Sequence, residues 1–554
     1  MLLTSFSQQV RTTTQLGVLT LTILLLVFFL DNRFNVLPDA IHNALPAHHP
    51  GLVITDITIA TCSTLNILST CKLDPSKWHR VEKDLYLSRG WLTHAFIHIE
   101  RKRESELTEK DRVILDVRIG SLDPVVSERN QGAEHWESRP GGIWLKRTAK
   151  HRESDNLKAV TAVDVLFGSD AVEARPGWEL GRQPLLLPNV GGENQEAYLS
   201  IRRGPPAAIE KPTLHVNKDG KFKIVQVADL HLSTGPGICR DAEPAAQNDG
   251  KCDADPRTLA FVSLVMDSEK PDLVVLSGDQ VNGETAADAQ SAVFKFARLF
   301  IDRKIPFATI FGNHDDEGSL SREALMQLTH SLPYSLSEFG PTTIDGVGNY
   351  YIEVLARGGS THSALTLYLL DTHGYSPDER QFRGYDWLKK NQIDWFKTTS
   401  AELKKSPSHT AYTHHHMDMA FIHIPLPEYR FTDDIVPATG SQPENPTAPG
   451  FNSGFRDALV EEGVLAVSCG HDHVNDYCSL SKSSAGKPEL WMCYAGGSGF
   501  GGYGGYGGYH RRVRVFEFDM NEARVVTWKR LEYGETEKQL DRTIIVESGR
   551  VATA

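Results

Sequence analysis

The stretch Leu273-Val-Val-Leu-Ser-Gly-Asp-Gln-Val-Asn282 joins a short apolar run to an acidic residue. A run of this kind that ends in a polar cluster is typical of a strand in a layered α/β domain. Gly278 allows a sharp backbone turn just before Asp279, because glycine adopts conformations that are closed to other residues. The pattern therefore predicts a strand that presents the carboxylate of Asp279 at its carboxyl end.

Four further apolar runs end in the same way, in residues that can bind a hard metal ion. These are Phe222–Val227 before Asp229 and His231, Pro306–Phe311 before Asn313, His314 and Asp315, Met419–Ile422 before His423, and Val464–Val467 before His471 and His473. Sites in open α/β sheets form outside the carboxyl ends of the strands. All five groups can therefore converge.

The candidate ligands are carboxylates, imidazoles and an amide oxygen, without a thiolate. This donor set suits Mn, Fe or Zn and argues against a zinc finger or an iron–sulfur cluster. If one carboxylate bridges, the seven residues offer eight coordination positions, which fits two metal ions. The seven are Asp229, His231, Asp279, Asn313, His423, His471 and His473.

The chain divides by pattern into a β-rich part and a layered α/β part. Two-residue alternation over 52–203 is typical of half-buried strands and predicts a β-rich accessory domain. Prolines mark residues 204–219 as a linker. From 220 to 535, apolar runs alternate with amphipathic stretches such as Arg257–Asp267, which predicts βαβ units. Residues 536–554 are expected to form a C-terminal tail.

Residues 12–30 are 19 uncharged positions between Arg11 and Asp31, and their core, Leu16–Leu30, is strongly apolar. As a helix they would span about 28 Å, enough to cross the hydrocarbon core of a membrane. Because no small-residue cleavage site follows, a transmembrane signal anchor is favoured over a cleaved signal peptide. Residues 1–11 would then be cytosolic and residues 31–51 a stalk.

The positive-inside rule, carried by Arg11 alone, predicts a single-pass type II protein of the secretory pathway (endoplasmic reticulum or vacuole) with a lumenal catalytic domain. The seven cysteines partly support an oxidising compartment. We hypothesise the pairs Cys62–Cys71, Cys239–Cys252 and Cys478–Cys493, with Cys469 as a buried thiol. The alternative is that all seven are reduced, because spacing alone does not determine connectivity. The lack of any N-x-[S/T] sequon argues against a lumenal domain.

The composition excludes several classes of protein. The 554 residues are 40% hydrophobic and 23% charged, which suits a protein with sizeable cores rather than a disordered or fibrous chain. The formal net charge is −13, from 58 Lys and Arg against 71 Asp and Glu. An acidic chain without long basic runs is a poor candidate for binding nucleic acid by counterion release, so we expect no nucleic-acid partner.

The ordered motifs D-x-H, G-D, G-N-H-D, H and G-H-x-H resemble those of the calcineurin-like metallophosphoesterase superfamily, over residues 220–530. The segments His423–Tyr429 and Cys469–His473 and the Gly-Gly-Tyr-Gly run are similar to a fungal branch of it. That branch is the dose-dependent cell-cycle regulator phosphatases, akin to plant purple-acid-phosphatase-like proteins. The resemblance implies an α/β fold, a metallophosphoesterase-like layered β-sandwich flanked by helices.

The resemblance also implies how the ligands are divided. One metal ion would be bound by Asp229, His231, Asp279 and His473, and the other by Asp279, Asn313, His423 and His471. A hydroxide that bridges the two ions would attack phosphorus. His314 would lie beside the phosphate as the proton donor, with Asp315 orienting its ring.

The function implied by this resemblance is a phosphomonoester hydrolase, specifically a Ser/Thr phosphoprotein phosphatase. Two alternatives are a phosphoesterase for small metabolites in the secretory pathway or vacuole, and a non-catalytic membrane adaptor that binds partners through residues 52–203. Asn282 departs from the purple acid phosphatases, which carry a tyrosine three residues after the bridging aspartate. No purple charge-transfer band is therefore expected.

Four features stay open in the sequence. His414-His-His416 is the alternative to His423 as a ligand. The segment 431–454 is a surface loop, either a mere connection or a substrate-facing flap. Gly496–Tyr509 is either a mobile loop that brings a tyrosine to the substrate or a flexible spacer. Asp371 follows a sixth strand and is expected to be a buried, hydrogen-bonded carboxylate.

Overall fold

The computed structural model describes residues 51–63, 71–88, 93–120, 134–150, 152, 155–188, 192–245, 251–430, 437–504 and 508–553. They form two compact units, the first from residues up to 165 and 177–207, the second from 166–176 and 208 onward. The predicted segments 1–11 and 12–30 lie outside the described residues, as does 31–51 except for its last position. No helix within the described ranges is both long enough and apolar enough to span a membrane.

The first unit is built from strands in three three-stranded sheets. In chain order the strands are β1 Leu52–Ser63, β2 Trp78–Arg80, β3 Thr93–Arg103, β4 Ile114–Ile119, β5 Glu134–Arg139, β6 Ile143–Thr148, β7 Val160–Phe167, β8 Trp178–Leu180 and β9 Ala197–Arg203. Burial alternates along β1, as expected for a strand with one buried face. The described part of 52–203 is β-rich as predicted, but Leu166–Pro176 belongs to the second unit.

The second unit contains two seven-stranded sheets. Its strands are β10 Lys221–Val227, β11 Leu273–Ser277, β12 Phe307–Ile310, β13 Tyr350–Leu355, β14 Ser363–Leu369, β15 Met417–Phe421, β16 Pro437–Thr439, β17 Ala466–Cys469, β18 Cys478–Lys482, β19 Pro488–Tyr494, β20 Arg512–Asp519, β21 Arg524–Leu531, β22 Leu540–Glu547 and β23 Arg550–Val551. Sheet I has the order β12-β11-β10-β20-β21-β22-β23, and sheet II the order β13-β14-β15-β17-β19-β18-β16. Parallel pairing of β10 with β11 and of β11 with β12 aligns their carboxyl ends.

The two sheets pack face to face, with helices on their outer sides. Ile224 and Val275 from sheet I share one buried cluster with Leu367 and Phe421 from sheet II. Fully burying a side chain of this size contributes roughly 1.5–3 kcal/mol. The predicted layered β-sandwich is thus present in the second unit.

The helices of the second unit are α1 Ala254–Glu269, α2 Ala289–Arg303, α3 Arg322–His330, α4 Lys390–Lys405, α5 Pro407–Thr410 and α6 Phe455–Glu461. On α2, Phe300 packs its ring 5.6 Å from that of Phe307 in β12, between centroids. On α4 and α6, Phe396 and Phe455 share a buried cluster with Tyr368 of β14. The amphipathic stretches predicted between the strands therefore cover both sheets.

Two predicted boundaries are wrong. Leu214 and Val216, assigned to the linker 204–219, are buried in the core between the sheets and exchange backbone hydrogen bonds with β13. The alternation of apolar and polar residues at Leu214–Val216 is only three residues long and follows several prolines. The sequence pattern therefore does not reveal this strand-like segment. Residues 536–554 do not form a tail, because β22 and β23 extend sheet I and Ile545 is fully buried.

The hypothesised cysteine pairing is confirmed in the structure. The disulfides Cys62–Cys71, Cys239–Cys252 and Cys478–Cys493 are formed, and Cys469 is a buried free thiol. Cys478 and Cys493 face each other on the antiparallel neighbours β18 and β19. Directly opposed positions of this kind bring two β-carbons close enough to be bridged.

The carboxylate of Asp476 is buried among cations. It accepts a hydrogen bond from the Ser441 amide at 2.7 Å, lies 2.8 Å from Lys529 Nζ and pairs with Arg512. Burial would raise its pKa, but Arg512 and Lys529 lower the pKa to about 2. Because the folded-state pKa lies below the ordinary aspartate value, these contacts stabilise the fold above pH ~4 and lose their contribution as the pH falls toward 2.

We expect Asp476→Asn to lower the free energy of unfolding by about 3 kcal/mol at pH 7, because it leaves the largely buried Arg512 without its carboxylate and Lys529 with that of Asp541 alone. The difference from the wild type should shrink when unfolding is measured at pH 3. Urea titration followed by tryptophan fluorescence gives both values. Asp267→Asn, which removes an exposed pair with Arg303, is the control and should cost much less. Equal losses in the two variants would contradict the prediction.

Candidate metal centre

The strand ends of the second unit bring the predicted ligands together in two buried groups. The groups are Asp229, His231, Asp279 and His473, and Asp279, His423 and His471. Within each group the potential ligand atoms lie within 4.8 Å of one another. Asp279 belongs to both groups, which is the arrangement expected of a bridging carboxylate.

Four of these residues have a left-handed backbone conformation. The φ angles are 57° at Asp229, 48° at His231, 52° at Asp279 and 77° at His471. Residues with a β-carbon rarely adopt this region, and such strain clusters at functional sites. The sharp turns that the motifs predict are therefore made by the ligands themselves.

In the first group, the ring nitrogens of two histidines face each other. His231 Nε2 lies 3.1 Å from His473 Nε2 and 3.7 Å from Asp279 Oδ2. The Nδ1 of His473 donates to the Tyr503 carbonyl at 2.8 Å, so its Nε2 is directed toward the group. Hydrogen bonds of this kind to the far ring nitrogen are how proteins orient histidine ligands.

In the second group, three buried polar atoms have no hydrogen-bond partner. They are Asn313 Oδ1, His423 Nε2 and His471 Nε2. His423 Nδ1 donates to the Ser277 carbonyl at 2.8 Å, which leaves its Nε2 3.3 Å from Asp279 Oδ2. Because buried polar atoms rarely stay unpaired, this convergence of nitrogen and oxygen donors fits a bound cation. Six of the seven predicted ligands thus lie in the two groups, and Asn313 directly precedes His314, whose amide donates to Asp279 at 2.8 Å. The donor set of the seven suits two metal ions.

One of the groups must change its protonation state to bind a metal ion: burial would lower the pKa of His423, but Asp279 raises it to about 9, so this ring has to lose a proton when a cation binds. Burial lowers the pKa of the His231 imidazole well below its ordinary value, so the ring is neutral. Burial would raise the pKa of Asp279, but the imidazoles of His423 and His231 hold it well below its usual range. Neutral imidazoles and ionised carboxylates are the forms that bind metal ions.

Two glycines are required because backbone packs directly against the ligands. A β-carbon at Gly278, where φ is 99°, would lie 2.1 Å from His423 Nδ1. One at Gly502 would lie 2.4 Å from His473 Cε1 and 2.6 Å from His231 Cδ2. The glycine-rich segment Gly496–Tyr509 is therefore in part a wall of the site rather than a spacer.

His314 lies beside the ligands and is about one third exposed. Its ring centroid is 5.3 Å from that of His231, and its Nδ1 is 2.6 Å from Glu317 Oε2. Burial would lower the pKa of His314, but Asp279 and Glu317 together raise it above its ordinary value. The protonated form that a proton donor needs is thereby favoured.

The role predicted for Asp315 as the residue that orients His314 is wrong. The Asp315 carboxylate accepts hydrogen bonds from the backbone amides of Asp279 at 2.9 Å, Val281 at 2.9 Å and Gly312 at 2.7 Å. Burial, followed by the charge of Asp279, raises the pKa of Asp315 to about 6. Asp315 thus ties the turn after β12 to the turn after β11, and Glu317 is the partner of the His314 ring.

The structure also shows where two other features lie that the sequence left open, the histidine run 414–416 and Asp371. His416 bonds to Asp418 at 3.0 Å and to Thr366 at 2.9 Å, away from the ligands, whereas His423 is one of them. Asp371 is fully buried and accepts a hydrogen bond from Arg322 at 2.7 Å, the hydrogen-bonded carboxylate that was predicted. These two findings leave the ligand set unchanged.

A cavity of about 160 Å³ opens above the ligands. It is lined by His231, Arg240, Asp279, Asn282, Glu284, His314, Tyr385, Thr447, His471, His473, Gly502 and Tyr503. Thr447 donates to the Asp472 carboxylate, so the segment 431–454 reaches the site, as its flap alternative required. Asn282 places a carboxamide here, where the purple enzymes carry a phenolate.

Sequence reasoning missed several residues around the cavity. Glu317 stands three positions after His314, just beyond the G-N-H-D motif, and nothing in the sequence distinguishes it from Asp315 and Asp316 as the partner of the ring. Arg240, Tyr385 and Thr447 come from irregular segments, and no local pattern sets them apart. They were found only because the fold brings them to the same cavity.

Two ligand groups with one common carboxylate are the arrangement of two-metal enzymes, a class that includes phosphatases, nucleases and aminopeptidases. The family model described as Calcineurin-like phosphoesterase matches residues 222–475, and the chain belongs to this family.

Among its relatives, phosphatase DCR2 of Saccharomyces cerevisiae is 40% identical over 67% of this chain and 64% of its own length. The chain thus spans slightly less than two thirds of that protein. An uncharacterized protein of Schizosaccharomyces pombe is 33% identical over 88% of each chain. Probable inactive purple acid phosphatase 14 of Arabidopsis thaliana is 38% identical over 59% of this chain and 82% of its own.

We expect Gly502→Ala to weaken metal binding about tenfold, the size of effect seen when residues that support ligands are changed. The added β-carbon would displace the rings of His473 and His231. Metal per chain, measured by mass spectrometry after dialysis against limiting zinc, reports this. Gly359→Ala is the matched control, since a β-carbon there meets nothing within 4 Å. Unchanged metal content in Gly502→Ala would contradict the steric explanation.

Proposed function

We propose that this protein is a two-metal phosphomonoester hydrolase that acts on phosphoserine and phosphothreonine in proteins. The observation that carries the proposal is that two groups of buried ligands share the carboxylate of Asp279, while His471 Nε2 in one of them has no hydrogen-bond partner. A site that had lost its chemistry would not need every predicted ligand in place. This argues against a purely adaptor function.

The residues would divide as the sequence predicts. Asp229, His231, Asp279 and His473 would hold one metal ion, and Asp279, Asn313, His423 and His471 the other. Two bound ions would neutralise phosphate charge and supply a nucleophilic hydroxide near neutral pH. The strained turns and hydrogen bonds described above keep the donors in position, so little reorganisation is needed when substrate enters.

His314 would donate a proton to the leaving oxygen. The ring lies at the cavity wall, with Nδ1 held by Glu317 at 2.6 Å. This contact leaves Nε2 for the leaving group. Proton donation matters most for an alkoxide such as that of serine, which is a poor leaving group.

The phosphatase part of the proposal is supported by the similarity to a relative named as a phosphatase, and the protein-substrate part by the shape of the site. A cavity of about 160 Å³ accommodates a phosphoryl group and little more. The remainder of the substrate would lie on the rim, where Tyr375 is half exposed and stacks on Tyr385 with centroids 5.5 Å apart. Turnover of phosphopeptides well above that of sugar and nucleotide phosphates would separate this proposal from the small-metabolite alternative.

A type II membrane protein with a lumenal catalytic domain remains our proposal for its location. It is supported by the apolar run at 12–30 and by the three disulfides, which persist in oxidising compartments.

Asp279→Asn should abolish turnover and lower the metal content from two ions per chain to one or fewer, because a neutral amide cannot bridge two cations. Metal analysis and phosphatase assays with Mn, Fe and Zn on the same preparations test this. Asp302→Asn, at an exposed aspartate of α2 paired with Arg298, should retain both properties. Two ions per chain in Asp279→Asn would mean that this carboxylate does not bridge.

His314→Ala should retain both metals but lose about 10²–10⁴ in kcat on a phosphoserine peptide. The loss should be far smaller on p-nitrophenyl phosphate, whose leaving group needs no proton. Glu317→Gln should show the same dependence on leaving group at a smaller magnitude, since it only orients the ring. If loss of turnover in His314→Ala followed loss of metal, His314 would be a ligand instead.

A further inference from the structure

One arginine stands at the cavity among the candidate ligands. Of the described residues that line this cavity, Arg240 is the only lysine or arginine. Its side chain is about half exposed, at 52%, and its Nη2 lies 3.3 Å from Glu284 Oε2, another rim residue. Arg240 therefore stands at the cavity with about half of its side chain open to solvent.

The main chain of Arg240 is held firmly although its side chain is exposed. Its amide donates to the Phe500 carbonyl at 2.8 Å, and its carbonyl accepts from Arg511 Nη2 at 2.9 Å. The preceding residue, Cys239, forms a disulfide with Cys252, just before α1. These contacts determine where the arginine side chain begins.

Arg511 connects this main chain to the wall of the metal centre. It is buried, and its Nε donates to the Gly499 carbonyl at 2.6 Å. Its Nη2 donates to the Gly502 carbonyl at 2.9 Å as well as to that of Arg240. Because Gly502 packs directly against His231 and His473, Arg240 is anchored to the backbone that contacts the ligands.

We propose that Arg240 binds the phosphoryl oxygens of the substrate and makes the site prefer phosphomonoesters over phosphodiesters. This rests on the proposed function. A phosphomonoester carries nearly two negative charges at pH 7 and three non-bridging oxygens, whereas a diester carries one charge and two such oxygens. A guanidinium presents parallel donors that match a phosphate edge, so it stabilises the dianion more than the monoanion.

The pair with Glu284 is suited to being exchanged for a substrate. Both side chains are exposed, at 52% for Arg240 and 70% for Glu284, and exposed ion pairs contribute little to stability. Rotation of the guanidinium from Glu284 to a phosphate therefore has a small cost. Glu284, an acidic residue of the cavity lining, would repel a substrate that lacked this cationic partner.

The test measures binding of inorganic phosphate to the metal-loaded full chain by calorimetry, together with turnover of p-nitrophenyl phosphate and bis-p-nitrophenyl phosphate. Arg240→Ala should raise the Kd for phosphate and the KM for the monoester about tenfold, which corresponds to ~1.4 kcal/mol. The KM for the diester should change less than about twofold, because it carries half the charge. For Arg240→Lys, the Kd for phosphate and the KM for the monoester should lie between those of the wild type and of Arg240→Ala. Lysine keeps the positive charge but lacks the parallel donors of the guanidinium.

Arg298→Ala is the matched control, an arginine of similar exposure that pairs with Asp302 on α2, outside the cavity. Metal content is measured in every preparation so that a loss of metal is recognised. Equal loss of monoester and diester turnover, or a phosphate Kd no higher than in Arg298→Ala, would overturn the role of Arg240 and leave the proposed function standing. Failure of the wild type both to bind phosphate and to turn over monoesters would overturn the two together.

Discussion

The carboxylate of Asp279 is the group on which the arrangement of the second unit depends. It ends β11 in a left-handed conformation, accepts a hydrogen bond from the His314 amide at 2.8 Å and faces His423 Nε2 at 3.3 Å. An ionised carboxylate in a protein interior is costly unless cations or hydrogen bonds surround it. The strands of both sheets supply those partners. The carboxyl ends of these strands must therefore meet at Asp279, and the packing of the two sheets brings them together there.

The metal ligands could be predicted from the sequence because each one belongs to a local pattern, an apolar run followed by turn chemistry. The partner of His314 could not be predicted in that way. Asp315, Asp316 and Glu317 follow it in sequence, and the choice among them depends on contacts across the fold. Asp315 is engaged by backbone amides from two turns, which leaves Glu317 to face the ring. Long-range contacts of this kind produce no periodic pattern in the amino-acid sequence.

The errors at the domain boundaries have a related physical cause. β22 lies near the end of sheet I and buries Ile545, but its polar neighbours make it look like a solvated tail. The run Gly496–Tyr509 has the composition of a flexible spacer, yet Gly502 is small because two ligand rings occupy the space of its missing β-carbon. Composition reports average behaviour, whereas these positions are determined by what packs against them.

The floor of the cavity, which the ligands form, and its rim, which side chains from loops form, are stabilised in different ways. The chemistry of the site therefore depends on the floor and its specificity on the rim. The floor consists of buried ligands on strained turns, so a change there disturbs metal binding and packing together. The rim includes Arg240, Tyr385 and Thr447, side chains from three irregular segments distant in sequence. Loops on a rigid scaffold tolerate replacement. One family can therefore keep the same two-metal floor while its members differ in substrate, and the substrate of this protein has to be determined from its rim.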